Sequence, residues 1–213
     1  VMPKEELLQI AELVRENKNI NILSDEIYEL ILKKEFKHLS LASLAPDLKE
    51  RIFIINGFAK GWAMTGWRVG YLVGQKDVIK ASSALQSQST SNVCSFVQRG
   101  ALEALKINQE FFLKINSHYD LRREALYKGL KNIEGLFLYP PDGAFYAFPR
   151  LPNNSITSVE FCKKILNDYG LVVVPGKPFG DDQCFRISCA SSKEKILDGL
   201  SRLEKAISNY YFK

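Results

Sequence analysis

The sequence predicts an α/β protein, with a largely buried sheet in its first half and a compact α+β unit in its second. Three short apolar runs, NINIL, RIFIING and VGYLVG, lack strict alternation and read as strands covered on both faces. Helical periodicity lies before the first run and after the third, as a layered α/β architecture requires. Beyond residue 130 the pattern changes to alternation punctuated by proline and glycine, in GLFLYPPDGAFYAFPRL.

Taken in order, Pro3 suits a helix start because its missing N–H would be unpaired in the first turn anyway. Leu7, Ala11 and Val14, with Leu8 and Leu13 alongside, mark the buried side of that helix. The first strand runs into SDEIY, which places two acids and a tyrosine at its carboxyl end. The second strand is RIFIING and the third VGYLVG. Residues 77–105 read as helical, interrupted by the polar QSQSTSN, and a long helix over 109–130 bridges two domains, 1–112 and 113–213. In the second domain a strand, a Pro-Gly turn and a strand precede a helix over 158–169. The strands LVVVPG and CFRISCA follow, then a last helix over 193–210.

The bulk numbers exclude several classes. The chain has 213 residues, 46% hydrophobic and 25% charged, ordinary for a globular protein that buries a sizeable core. A net charge of +5 with acids interleaved throughout argues against a nucleic-acid partner. No apolar run approaches the roughly 18 residues of a membrane span, and VMPKEELLQIAELV is an amphipathic helix pattern rather than a leader. The four cysteines, Cys94, Cys162, Cys184 and Cys189, form no CxxC pair and have no neighbouring histidine. No metal site is expected, and free thiols in a cytoplasmic protein are. Asn153-Asn154-Ser155 spells a glycosylation sequon but carries no weight in that compartment.

Chemistry-bearing residues stand out in three places. Asp25 and Tyr28 sit beyond the end of the first strand, where ligands of open α/β sheets bind; the plainer reading is that Asp25 caps a turn and Tyr28 packs. Lys60 lies among glycines, aromatics and small residues in NGFAKGWAMTGWRVGY. Burial disfavours the charged form of an amine, which is how a lysine becomes a nucleophile able to form a Schiff base; most lone lysines are solvated loop charges instead. Glycines around it permit close approach of a ligand. Eight positions on, Arg68 offers a planar fork suited to a phosphate. Arg186, in CFRISCA, shares a strand face with Cys184 and Ser188. It needs an anion there, either a substrate carboxylate bound bidentately or an internal acid. A carboxylate, a phenol, an amine and two guanidinium groups are what pyridoxal phosphate chemistry requires: an acid for the ring nitrogen, an amine for the aldehyde and a cation for the phosphate.

SDEIY, NGFAKGWAMTGWRVGY and FRISCASS, in this order and spacing, resemble the class I/II aminotransferases of the fold-type I pyridoxal phosphate family, bacterial-type aspartate aminotransferases above all. DGAFYAF and VVVPGKPFG are also family-like, and the likeness extends over essentially the whole chain. The resemblance implies the C-terminal part of the family's three-layer α/β/α large domain plus its complete small α+β domain. It implies that Lys60 forms the Schiff base with pyridoxal 5'-phosphate and shuttles the proton between the substrate Cα and the cofactor C4′. By the same resemblance Asp25 pairs with the pyridine nitrogen, Tyr28 bonds the ring hydroxyl oxygen, Arg68 holds the phosphate and Arg186 binds the substrate α-carboxylate. The implied substrates are an amino acid, aspartate or glutamate, and a 2-oxo acid, and the implied assembly is a homodimer.

Two departures qualify the likeness. Many relatives carry a hydroxyl residue three positions before the lysine, where this chain has Gly57. Family members are also about twice as long, so the chain is expected to be a C-terminal fragment. Two alternatives follow: a pyridoxal phosphate lyase or synthase on the same fold, or an inactive truncated chain that folds without cofactor.

Overall fold

A computed structural model describes residues 1–212. The chain forms two compact units, divided between Leu113 and Lys114 inside a long helix.

In the first unit α1 (Lys4–Glu16) starts from an extended Pro3 and buries Leu7, Ala11 and Val14, four and three residues apart on one face. Leu13, on the opposite side, is exposed. The buried stripe packs with Leu41 of α2 (Leu41–Leu44), Ala45, Leu48 and Ile52. The sheet has the order β1-β2-β3, formed by Ile22–Asp25, Ile52–Gly57 and Gly70–Val73. β1 runs parallel to β2, pairing Ile22 with Ile52 and Asp25 with Ile55, while β3 returns antiparallel. The segment between β2 and β3 contains no crossover helix, which parallel pairing would need.

The strands depart from the expected two-sided burial. Successive side chains point to opposite faces, and α1 and α2 cover only the face that carries Ile22, Ile52 and Ile54. On the other face Leu23 is 63% exposed and Ile55 38%. Helix α3 (Lys76–Ser89) incorporates most of QSQSTSN rather than stopping before it, because its polar residues are solvated; none of its residues is buried. The break comes instead before α4 (Ser95–Ala104).

Helix α5 (Gln109–Asn132) leads into the second unit. There β4 (Tyr146–Ala147), β6 (Phe185–Ser188) and β5 (Val174–Pro175) form an antiparallel sheet in that spatial order. The ladder is shorter than LVVVPG and GLFLYPPDGAFYAFPRL predict. Prolines interrupt it, leaving Arg150 in isolated bridges to Phe137 and to Cys184. Helix α6 (Ser158–Tyr169) opens with a capping box between Thr157 and Glu160 and closes on Gly170 at φ +61°. It packs on α7 (Lys193–Tyr211), with Phe161, Ile165, Phe185, Leu203 and Ile207 among the buried side chains. No described helix is long and apolar enough to cross a membrane.

Candidate active site

The parallel ladder of β1 and β2 ends at the Asp25–Ile55 pair, and both chains then turn into the segments that bear the expected site residues. Asp25 is exposed at the strand end and accepts the Ile27 N–H through Oδ1 at 3.3 Å. That is the turn-capping role allowed for it, and it leaves the other carboxylate oxygen facing solvent. The turn continues with Ile31 N donating to the Tyr28 carbonyl at 2.9 Å. Lys60, half-buried, places Nζ 5.9 Å from the centre of the Tyr28 ring. Asp25 and Tyr28 therefore lie on one turn at this sheet edge, and the Lys60 amine lies beside the Tyr28 ring.

The Lys60 loop is fixed by its aromatics and glycines. Phe58 is buried with Ala101 and Ala104 of α4, and Trp62 packs against that group. The Trp62 indole donates to the Ala104 carbonyl at 3.0 Å. Gly61 lies against Leu30: a Cβ there would fall 2.8 Å from Leu30 Cδ1. Gly57 is equally constrained, since its Cβ would stand 2.8 Å from Gly70 Cα and 2.9 Å from the Val69 carbonyl. Any residue with a Cβ is disfavoured at this position by the strand contact.

Arg68 lies in the left-handed region at φ +53°, closing the single turn Thr65–Trp67, and donates to the Thr65 carbonyl at 3.0 Å. It is exposed and lines a cavity of about 300 Å³ with Trp67, Gln86, Asn92 and Cys94.

Sequence reasoning missed a polar network around Glu26, which is 6% exposed. Ser24 and Ser40 donate to its Oε1 at 3.0 and 2.9 Å, and His38 Nε2 lies 2.9 Å from Oε2. Glu29 stands nearby, the Glu26, Glu29 and His38 ligand atoms all lying within 4.8 Å of one another. Both Glu26 oxygens are already engaged, so the cluster works as a hydrogen-bond network bracing the turn. Its only trace in the sequence is the polar run between KEF and LASL.

Arg186 belongs to the second unit. Its guanidinium lies over two aromatic rings, 4.3 Å from the centre of Tyr146 and 4.5 Å from that of Phe179. Among the described residues no carboxylate forms an ion pair with it, which removes the internal salt bridge as its anion. On the opposite strand face Phe185 and Ile187 are buried; Cys184, on the face of Arg186, is buried as well, its thiol donating to Asp181.

The first unit is thus an α/β unit with Asp25, Tyr28 and Lys60 close to the carboxyl ends of its parallel strands, and the second is an α+β unit with Arg186 over two aromatic rings. Residues 1–203 match the family model for aminotransferase class I and II. A probable aspartate/prephenate aminotransferase of Rickettsia felis is 40% identical over 98% of this chain and 54% of its own length. An aspartate aminotransferase of Pinus pinaster is 39% identical over 97% of the chain and 44% of its own. The crystal structure of the aspartate aminotransferase from Rhizobium meliloti superposes with a TM-score of 0.91 at 33% identity, covering 98% of this chain and 55% of that one. The chain belongs to the class I and II aminotransferases, a pyridoxal-phosphate-dependent family of fold type I. It spans about half the length of the curated relatives it matches.

Proposed function

We propose that this chain carries the reactive amine and the carboxylate-binding arginine of an aminotransferase, which moves an amino group between an amino acid, aspartate or glutamate, and a 2-oxo acid. Family membership supports the reaction class, and relatives named for aspartate support the donor. The observation that carries the reading is the Lys60 amine beside the Tyr28 ring, on the turn that starts from Asp25 at the strand end. The residues present suit pyridoxal phosphate: a carboxylate with one oxygen open, a phenol, an amine and an exposed guanidinium.

When bound, the cofactor supplies an electron sink that loosens the bonds at the substrate Cα. Lys60 would hold the group through its amine and would supply the base for the proton at the substrate Cα. Asp25 would pair with the ring nitrogen, Tyr28 would donate to the ring hydroxyl oxygen and Arg68 would pair with the phosphate. Arg186 takes the α-carboxylate in its planar fork. The exposed apolar side chains of Leu85, Phe96 and Leu105 support burial against further protein, and the assembly we propose is a homodimer.

The test is to add pyridoxal phosphate to the full-length protein, reduce with borohydride and map the labelled peptide. Label on Lys60 supports the reading; no label, or label on another lysine, overturns it. A second reading applies to the chain alone. Exposure of Asp25, Arg68 and one sheet face favours weak cofactor retention and no activity. Tight stoichiometric binding by the chain alone would refute that.

A further inference from the structure

Helix α5 grips the segment before β4 at two points one turn apart. Tyr119 stacks on Phe145, ring centres 5.5 Å apart and 21° from parallel. Arg123, four residues on and so on the same helix face, donates from Nη1 to the Ala144 carbonyl at 2.5 Å and from Nη2 to Asp120 at 2.6 Å. The Arg123 side chain is 1% exposed, and its Nε is buried with no hydrogen-bond partner among the described residues.

A guanidinium taken out of water with one nitrogen unmatched is costly, and buried ion pairs give way to apolar residues with little loss or even a gain in stability. Stability is therefore a poor reason for Arg123. Its second partner is more informative, because Ala144 sits at φ +52°, a left-handed conformation that an L-residue adopts at a cost. Two residues further, Tyr146 pairs with Ser188 across the sheet and lays its ring against Arg186. Cys189 N donates to the Phe145 carbonyl at 2.8 Å, so the segment is tied on both sides of that ring.

We propose that Arg123 is a positioning residue for carboxylate binding: it holds Ala144 in the left-handed region and thereby sets the Tyr146 ring against Arg186. The inference rests on the reading of Arg186 as the carboxylate binder. Arg123 touches neither substrate nor cofactor in this role; it acts through the backbone of 144–146.

The probe is succinate, a dicarboxylate without an amino group, with its Kd for the full-length protein measured by calorimetry. Arg123→Met weakens binding about tenfold, the effect of a coupled neighbour. Ala144→Val, which disfavours φ > 0 without touching a charge, weakens it by a similar factor. Ala144→Gly keeps Kd within about twofold, because glycine accepts the conformation freely. Arg186→Leu is the reference: if it leaves succinate binding intact, the carboxylate reading of Arg186 is wrong. If Arg186→Leu abolishes binding while Arg123→Met and Ala144→Val bind like the parent and differ only in melting temperature, the positioning role is overturned. Where Arg123→Met does not fold, Ala144→Val against Ala144→Gly decides the matter.

Discussion

Asn56 donates to Glu29 Oε1 at 2.6 Å while its own Oδ1 accepts the Gly57 N–H at 2.7 Å. These bonds cross from the turn that bears Tyr28 to the strand end that delivers Lys60, just past the last rung of the β1–β2 ladder. Asn56 is 4% exposed, so its loss strands a buried N–H and deprives a carboxylate of its donor. Asn56→Ala should destabilise by about 2 kcal/mol, the penalty of unmatched buried polar groups, read from urea denaturation. Glu29→Gln retains an acceptor and should stay close to the parent. Equal losses from both changes would mean that charge, and not the bond, holds the turn.

Gly57 supports a second prediction. Because its Cβ would meet the backbone of Gly70 and Val69, Gly57→Ser forces β2 and β3 apart. The expected cost is about 1–3 kcal/mol, as for other overpacked sites. The added hydroxyl should bring no gain in pyridoxal phosphate affinity. A more stable Gly57→Ser protein, or one that binds the cofactor more tightly, would contradict the strand contact.

The residues that read clearly from sequence are those whose chemistry clashes with their neighbours. Lys60 among aromatics and glycines and Arg186 between small and apolar strand residues announce themselves, and Leu7, Ala11 and Val14 declare a helix face by spacing. Sheet coverage did not read as well. NINIL and RIFIING look two-sided, yet Leu23 is 63% and Ile55 38% exposed. Arg123 is hard to read for a different reason: in YDLRREALYKG it resembles Arg122, yet it lies on the buried helix face with Leu126 and Leu130 and donates to the Ala144 carbonyl. The Glu26 network likewise depends on Ser24, His38 and Ser40 meeting in space.

Thiol chemistry supplies a pH-dependent prediction. Burial pushes Cys162, Cys184 and Cys189 up to about 11, the Asp181 carboxylate adding to the effect at Cys184. On unfolding each returns toward the ordinary 9.0, so the unfolded chain gives up these protons first. Stability is thus fully present below pH 9 and is lost as pH rises toward 11. At pH 8 a thiol-specific disulfide reagent should modify exposed Cys94 alone in the folded chain and all four cysteines in denaturant. Rapid native labelling of a second thiol, or stability that is flat from pH 9 to 11, would refute this burial pattern.

Arg186 gives the most direct test of substrate recognition. Its guanidinium lies over the Tyr146 and Phe179 rings, 4.3 and 4.5 Å from their centres, and its planar fork of N–H donors matches a carboxylate as a point charge does not. Replacing it by leucine keeps an apolar body beside the rings and removes the donors. In the full-length enzyme Arg186→Leu should raise KM for the amino acid about 100-fold, equivalent to about 3 kcal/mol for a charge-assisted bidentate pair. Cofactor retention, followed by absorbance after dialysis, should change far less, because Lys60, Asp25 and Arg68 all lie in the other unit. Arg186→Lys separates charge from geometry: a point charge without the planar fork should recover only part of the loss. Full recovery by lysine would reduce Arg186 to a general positive field, and parallel losses of cofactor and substrate would remove it from carboxylate recognition altogether.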